Sequence, residues 1–121
     1  TGNYQAVLKG IEILDELLGK IYEVSQKTNA TLLITSDHGN AEKLYDPLTG
    51  EKETQHNVNP VPFFLIDENF KLKKERSPEE ILYLEQHTQG ILADIAPTLL
   101  ELMNLPVPKE MVGKSLLKYL I

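Results

Sequence analysis

The sequence predicts an α/β fold, and the order of its apolar segments supports that prediction. A long amphipathic segment at residues 4–27 is followed by a short apolar strand segment at 30–36. A second strand segment follows at 61–67, and a second amphipathic helix at 92–105. Two strands cannot cover two such helices, so the pattern indicates part of a larger, mainly parallel sheet flanked by helices.

The first helix is predicted from apolar side chains at steps of three and four residues, with Glu and Lys on the other face. Asn3 is a suitable N-cap for this helix, and we expect the helix to end at Thr28 and Asn29. Gly10 and Gly19 weaken a helix, so we expect them to allow close packing against a sheet. The apolar stripe consists of Val7, Leu8, Ile11, Leu14, Leu17, Leu18, Ile21 and Val24.

Both strand segments are short and apolar, as buried strands are. The stretch between them at residues 45–55 contains a turn signal at Asp46 and Pro47, followed by Gly50. We therefore predict a hairpin-like excursion between the two strands.

The second half of the chain begins with a polar and charged stretch at residues 68–90, which predicts a surface connection with a helical turn at 78–83. In the helix predicted at 92–105, Pro97 falls near the first turn, where proline is tolerated. The tail after Gly113 predicts one more short helix.

Composition excludes several classes of function. The 121 residues contain no cysteine, which excludes disulfides, thiolate zinc sites and a cysteine nucleophile, and fits a cytoplasmic protein. The net charge of −6 argues against nucleic-acid partners and a basic membrane-binding face. An anionic substrate is not excluded by this net charge, because a bound metal ion would supply positive charge locally. No apolar run approaches the ~20 residues of a membrane span, and we expect no signal peptide.

Polar residues at the end of the first strand are the candidates for chemistry. Asp37 and His38 follow the strand directly, and ligands of open α/β sheets bind outside the carboxyl ends of strands. A carboxylate and an imidazole suit manganese, zinc, iron or magnesium-like ions, and Gly39 lets backbone or a substrate approach closely. His56 precedes the second strand and can return to the same sheet edge, so three metal ligands can converge there.

Other interpretations of these residues stay open. A strand-end Asp-His pair is also typical of a cap followed by a solvated imidazole. His87 lies in a polar stretch, and we expect it to be an exposed loop or helix-end histidine. The segment 112–115, VGKS, ends like a phosphate-binding loop, but Pro108 stands where that motif has its first glycine, so we predict a turn.

Three longer stretches carry a family resemblance. The segments "LLITSDHGNAE", "HNVNPVPFFLID" and "GILADIAPTLLELMNLPVPKEMVGKSL" together resemble the C-terminal part of cofactor-independent (2,3-bisphosphoglycerate-independent) phosphoglycerate mutase, of the alkaline phosphatase superfamily. The opening "TGNYQAVLKGIEILDELLGKI" is similar to the helix after that family's GHTG motif. The resemblance implies that residues 1–121 are the C-terminal portion of a metal-binding phosphatase domain, a fragment of an alkaline-phosphatase-like sandwich.

The resemblance also implies an activity. The family interconverts 3-phosphoglycerate and 2-phosphoglycerate in glycolysis by intramolecular phosphoryl transfer through a phosphoserine, with two divalent metal ions, usually manganese. Asp37 and His38 match ligands of the metal that activates the serine, and His56 matches a ligand of the other metal. The nucleophilic serine itself has no counterpart in this chain, so we expect the fragment alone to be inactive.

The partners expected from this resemblance are a small phosphoglycerate substrate, no nucleic acid and no membrane. The full-length enzyme is expected to be monomeric, whereas exposed helix stripes predict self-association of the fragment. Two alternatives stay open: another metal-dependent phosphomutase or phosphatase of the same superfamily, and a non-catalytic module that binds a partner.

Overall fold

The structure is a computed structural model that describes residues 3–40, 45, 48–50, 56 and 58–120. Its helices and strands are α1 (Tyr4–Thr28), β1 (Leu32–Thr35), β2 (Phe63–Ile66), α2 (Pro78–Gln86), α3 (Ile95–Leu102) and α4 (Leu117–Leu120). The chain divides into two compact units, Thr1–Asp67 and Glu68–Ile121. The mixture of helices and strands confirms the α/β class, and most of the predicted excursion at 45–55 lies outside the described residues.

Helix α1 begins and ends as predicted. The side-chain oxygen of Asn3 accepts a hydrogen bond from the Ala6 N–H at 3.2 Å, which satisfies one of the free donors of the first turn. Asn29 ends the helix in the left-handed region, with φ of 53°. The close packing predicted at Gly10 and Gly19 is not observed, because a Cβ at either position would meet nothing within 4 Å.

The apolar stripe of α1 is largely solvent-exposed. Leu14 is 58% exposed, Ile11 53% and Ile21 50%. Among the described residues, no aliphatic or aromatic side chain other than that of Pro97 is fully buried. The first unit therefore holds its shape through hydrogen bonds of α1 and the sheet more than through a hydrophobic core.

Strands β1 and β2 pair antiparallel, in a register that sets Leu32 opposite Ile66 and Thr35 opposite Phe63. A hairpin-like connection between two strands produces antiparallel pairing, as observed here. The parallel arrangement expected for the sheet is not seen in this strand pair. The Thr31 hydroxyl donates a hydrogen bond to the Asp67 carboxylate just beyond the strand ends. That bond ties the start of β1 to the end of β2.

The second unit is organised around Asp94, which is only 9% exposed. Its carboxylate accepts hydrogen bonds from the N–H groups of Lys114, at 2.7 Å, and Ile91, at 2.9 Å. The fully buried Thr98 hydroxyl donates to the Asp94 carbonyl at 2.7 Å and accepts from the Leu116 N–H at 2.8 Å. Two side chains thus hold the segment before α4 against the start of α3.

The helix predicted over residues 92–105 is wrong in its bounds. Residues Leu92–Asp94 form a 3-10 turn, and α3 begins only at Ile95. The Asp94 carboxylate bonds back to Ile91, which closes that tighter turn before the α-helix starts. In contrast, α2 is longer than the predicted turn, because Ser77 and Glu80 form a reciprocal capping box at its start.

Gly113 allows the segment before α4 to approach the 3-10 turn. A Cβ built at Gly113 would lie 2.1 Å from the Ala93 carbonyl oxygen, which is backbone and cannot rotate away. The close approach of Lys114 to Asp94 therefore requires glycine at the preceding position.

We predict that Gly113→Ala destabilises the protein that carries this chain by about 1–3 kcal/mol, because the new methyl group forces two backbone segments apart. Gly19→Ala is the matched control, since its Cβ meets nothing within 4 Å, and it should stabilise α1 by up to ~1 kcal/mol. Urea denaturation measures both changes. Equal stability of the two variants would contradict the close approach at Gly113.

A second prediction concerns how acid pH changes the stability that Asp94 contributes. The N–H donors of Lys114, and next of Ile91, hold the pKa of Asp94 below its usual value. A carboxyl group with a lowered folded-state pKa stabilises the fold above its unfolded pKa of about 4, and that contribution is lost as the pH falls through the folded pKa. The difference in Tm between the wild type and Asp94→Asn should therefore be largest near neutral pH and shrink below about pH 4. A difference that stays constant from neutral pH to pH 3 would contradict this prediction.

Candidate metal centre

The turn that leaves β1 is closed by its own hydrogen bonds. The Ser36 hydroxyl donates to the His38 carbonyl at 3.0 Å, two residues further on. Gly39 is buried, whereas Asp37, two residues before it, is exposed. The chain therefore turns over a short distance, and two adjacent side chains project from the turn at the end of the strand.

The imidazole of His38 is oriented by the backbone. Its Nδ1 lies 3.1 Å from the Gly39 carbonyl oxygen. A carbonyl can only accept, so Nδ1 carries the proton and Nε2 of the neutral ring keeps its lone pair. Metal-binding histidines commonly use this arrangement, because a hydrogen bond at one nitrogen fixes the tautomer and the direction of the other.

The carboxylate of Asp37 lies beside that free nitrogen. Its Oδ2 atom is 3.5 Å from Nε2 of His38, which is longer than a good hydrogen bond between these groups. Two donors that each bind one tetrahedral ion at about 2.1 Å lie about 3.4 Å apart. The observed spacing therefore fits two ligands of one ion. The His38 side chain is 35% exposed and the Asp37 side chain 84%, so an ion can reach both from solvent.

His56 lies against the same turn. The centroids of the His38 and His56 rings are 3.6 Å apart, with the ring planes inclined at 41°. The strand register accounts for this proximity, because Thr35 at the end of β1 faces Phe63 at the start of β2. The three side chains singled out from the sequence, Asp37, His38 and His56, are thus brought together at one end of the sheet.

The donor set is one carboxylate and two imidazoles, which suits a divalent transition metal. Within the part of the chain that the structure describes, no three His, Cys, Asp or Glu side chains are grouped so that they could hold a metal ion. The family resemblance assigns the three candidate ligands to two different ions. Only Asp37 and His38 would then have to bind the same ion. Asp37 and His38 have the spacing that part of a metal centre requires, and the other ligands of a bound ion would be other residues.

The other sequence candidates have structural roles. His87 follows α2 and is exposed, with Nδ1 2.8 Å from the Tyr83 carbonyl oxygen and its ring stacked on the Tyr83 ring at 4.0 Å. In the VGKS segment the Lys114 N–H binds Asp94 rather than a phosphate, and the segment leads into α4.

Sequence reasoning missed the hydrogen bonds of Asp94 and of the Ser36 hydroxyl. One feature of the sequence could have indicated the Asp94 contacts. Asp94 stands four residues before Thr98 at the start of a helix, with Pro97 between them. That spacing concerns the helix start alone, whereas one hydrogen-bond partner of Asp94 lies twenty residues further on, at Lys114.

No described helix combines the length and the apolar character needed to cross a bilayer.

Residues 1–107 match a family model described as the Metalloenzyme superfamily. The chain is also similar to curated proteins named 2,3-bisphosphoglycerate-independent phosphoglycerate mutase. It is 45% identical over 118 residues to the one from Clostridium botulinum and 49% identical over 118 residues to the one from Prochlorococcus marinus. Each alignment covers 98% of this chain, which spans only 21% of each relative's length.

Proposed function

The chain belongs to the metalloenzyme superfamily, and on that premise we propose that it is part of a 2,3-bisphosphoglycerate-independent phosphoglycerate mutase. In this proposal residues 1–121 are the C-terminal portion of a metal-binding phosphatase domain. The rest of the enzyme completes a mainly parallel sheet in an alkaline-phosphatase-like sandwich. Identity near 45% along almost the whole chain to relatives of that name supports the assignment.

The observation that carries the proposal is the meeting of Asp37, His38 and His56 at one end of the sheet. The Asp37 carboxylate and Nε2 of His38 would hold one divalent ion, and His56 would hold a second, with manganese as the proposed metal. When bound, such ions neutralise phosphate oxygens and lower the pKa of a hydroxyl nucleophile. The substrate in this proposal is a small phosphoglycerate, and the enzyme is a cytoplasmic monomer.

Hydrogen bonds within the turn after β1 position the candidate ligands for metal binding. The Gly39 carbonyl accepts the Nδ1 proton of His38 and so keeps the Nε2 lone pair directed at the site. The Ser36 hydroxyl holds the His38 carbonyl, which limits rotation of the turn. The ligands are thus largely positioned before any ion arrives, which reduces the entropy cost of binding it.

The reaction itself needs groups that do not match any residue of this chain. No serine of the 121 residues corresponds to the family's nucleophile, so the proposed mutase activity belongs to the complete polypeptide. Another metal-dependent phosphomutase or phosphatase would use the same pair of donors, but the names of the relatives support the mutase. The same names do not support a non-catalytic module.

We predict that Asp37→Ala and His38→Ala in the complete protein each lower mutase turnover more than about 100-fold, since each removes a direct metal ligand. Manganese bound per chain should fall in parallel. Because Asp37 is 84% exposed, the Tm measured in excess EDTA should change little. His87→Ala is the matched control, a histidine outside the site that should leave metal content and turnover unchanged.

The outcome is measured with 3-phosphoglycerate and with an aryl phosphate as substrates. Wild-type manganese content and near-normal turnover in either ligand variant would refute the metal assignment. Hydrolysis of the aryl phosphate by the wild-type protein, without interconversion of the phosphoglycerates, would instead favour a phosphatase of the same superfamily.

A further inference from the structure

We propose that Ser36 is a positioning residue of the candidate metal centre. In this proposal its hydroxyl holds the Oδ1 atom of Asp37, so that the carboxylate binds an ion through Oδ2 alone, which favours manganese over calcium. The inference rests on the proposed function, which supplies the ion, and it adds a role for a side chain that is not itself a ligand. Ser36 stands immediately before Asp37 and His38, the two candidate ligands of one ion.

The Ser36 hydroxyl lies within reach of two acceptors in the turn after β1. Its Oγ atom is 3.0 Å from the His38 carbonyl oxygen and 3.4 Å from Oδ1 of Asp37. A serine hydroxyl has one proton to donate, and it rotates to direct that proton at a suitable acceptor. The 3.4 Å contact is long for a hydrogen bond, so in this structure the hydroxyl holds the carbonyl more firmly than the carboxylate.

The carboxylate of Asp37 is free to move closer to this hydroxyl. The Asp37 side chain is 84% exposed, whereas Ser36 is half-buried at the end of the strand. Hydrogen bonds to a charged acceptor are shorter and stronger than those between neutral groups. A small rotation of the Asp37 side chain would therefore shorten its contact with a donor that the fold already holds in place.

The two carboxylate oxygens of Asp37 have different neighbours. Oδ2 lies 3.5 Å from Nε2 of His38, the spacing that suits two ligands of one ion. Oδ1 lies beside the Ser36 hydroxyl instead. The arrangement therefore offers an ion one carboxylate oxygen together with the imidazole nitrogen, and it engages the second oxygen with a hydrogen-bond donor.

The number of oxygens that a carboxylate offers separates classes of divalent ion. Calcium takes about six to eight oxygen ligands and often binds both oxygens of one carboxylate. Magnesium and manganese are smaller and favour about six ligands in octahedral geometry. A carboxylate restricted to one oxygen thus suits the smaller ions, and the imidazole of His38 favours a transition metal among them.

Ser36→Ala in the complete protein tests this role, because it removes the hydroxyl and leaves both candidate ligands in place. Isothermal titration with manganese, and separately with calcium, measures the two affinities. We expect the manganese affinity to fall about 10-fold or more, as it does when the hydrogen-bond partner of a metal ligand is lost. The calcium affinity should stay equal or rise, because the carboxylate is then free to bind through both oxygens.

Two further variants separate the hydroxyl from other effects of the substitution. Ser36→Thr keeps a hydroxyl at the same position and should restore the manganese affinity to within about threefold of wild type. Thr35→Ala is the matched control, because it removes the neighbouring hydroxyl, which lies 3.4 Å from the Ser36 carbonyl oxygen. Its manganese affinity should equal that of wild type. The Tm of each variant in excess EDTA measures any loss of folding.

Three results would overturn the proposal: an unchanged manganese affinity in Ser36→Ala, an equal loss of manganese and calcium affinity, or no recovery in Ser36→Thr. An equal loss for both ions together with a lower Tm in EDTA would show that Ser36 only supports the turn. The proposed function fails separately. A wild-type protein that shows the expected pattern of metal binding but does not interconvert the phosphoglycerates would refute the mutase assignment and leave the role of Ser36 standing.

Discussion

Antiparallel pairing of β1 with β2 is the constraint on which the candidate metal centre depends. The register sets Thr35 opposite Phe63, so the turn after β1 and the chain before β2 meet at the same end of the sheet. This antiparallel arrangement brings His56 beside His38. At the other end, the bond between Thr31 and Asp67 opposes a slip of the register, which would reverse the faces of all the side chains.

Polar contacts replace a hydrophobic core in both units. In the first unit the turn after β1 is held by the Ser36 hydroxyl, and in the second the Asp94 carboxylate and the Thr98 hydroxyl join segments about twenty residues apart. Hydrogen bonds of this kind specify geometry but each adds only about 0.5–1.5 kcal/mol of net stability. The apolar side chains that would supply more stability are present in the chain, but they are exposed on α1.

The exposed apolar stripe of α1 and the incomplete donor set point to the same conclusion. Within the described residues, α1 exposes apolar side chains such as Leu14 and Ile21, and no three His, Cys, Asp or Glu side chains are grouped to hold a metal ion. Both features fit the proposal that the chain is part of a larger enzyme. Rigidity is nevertheless built into this part, because the orientation of His38 comes from the carbonyl of the very next residue. In the proposed metal centre the orientation of this candidate ligand is therefore set locally, and further ligands would come from other parts of the polypeptide.

The sequence by itself determined what short-range physics controls. The bounds of α1, its Asn3 cap, the two strands and the exposed place of His87 follow from patterns of a few residues, and the strand-end position made Asp37 and His38 candidates. Tertiary structure decided what depends on distant partners. It set the antiparallel direction of the strand pair, the approach of His56 to His38, and the link of Asp94 to Lys114. Such contacts join segments far apart in the chain, and no local pattern of residues encodes which segments will meet.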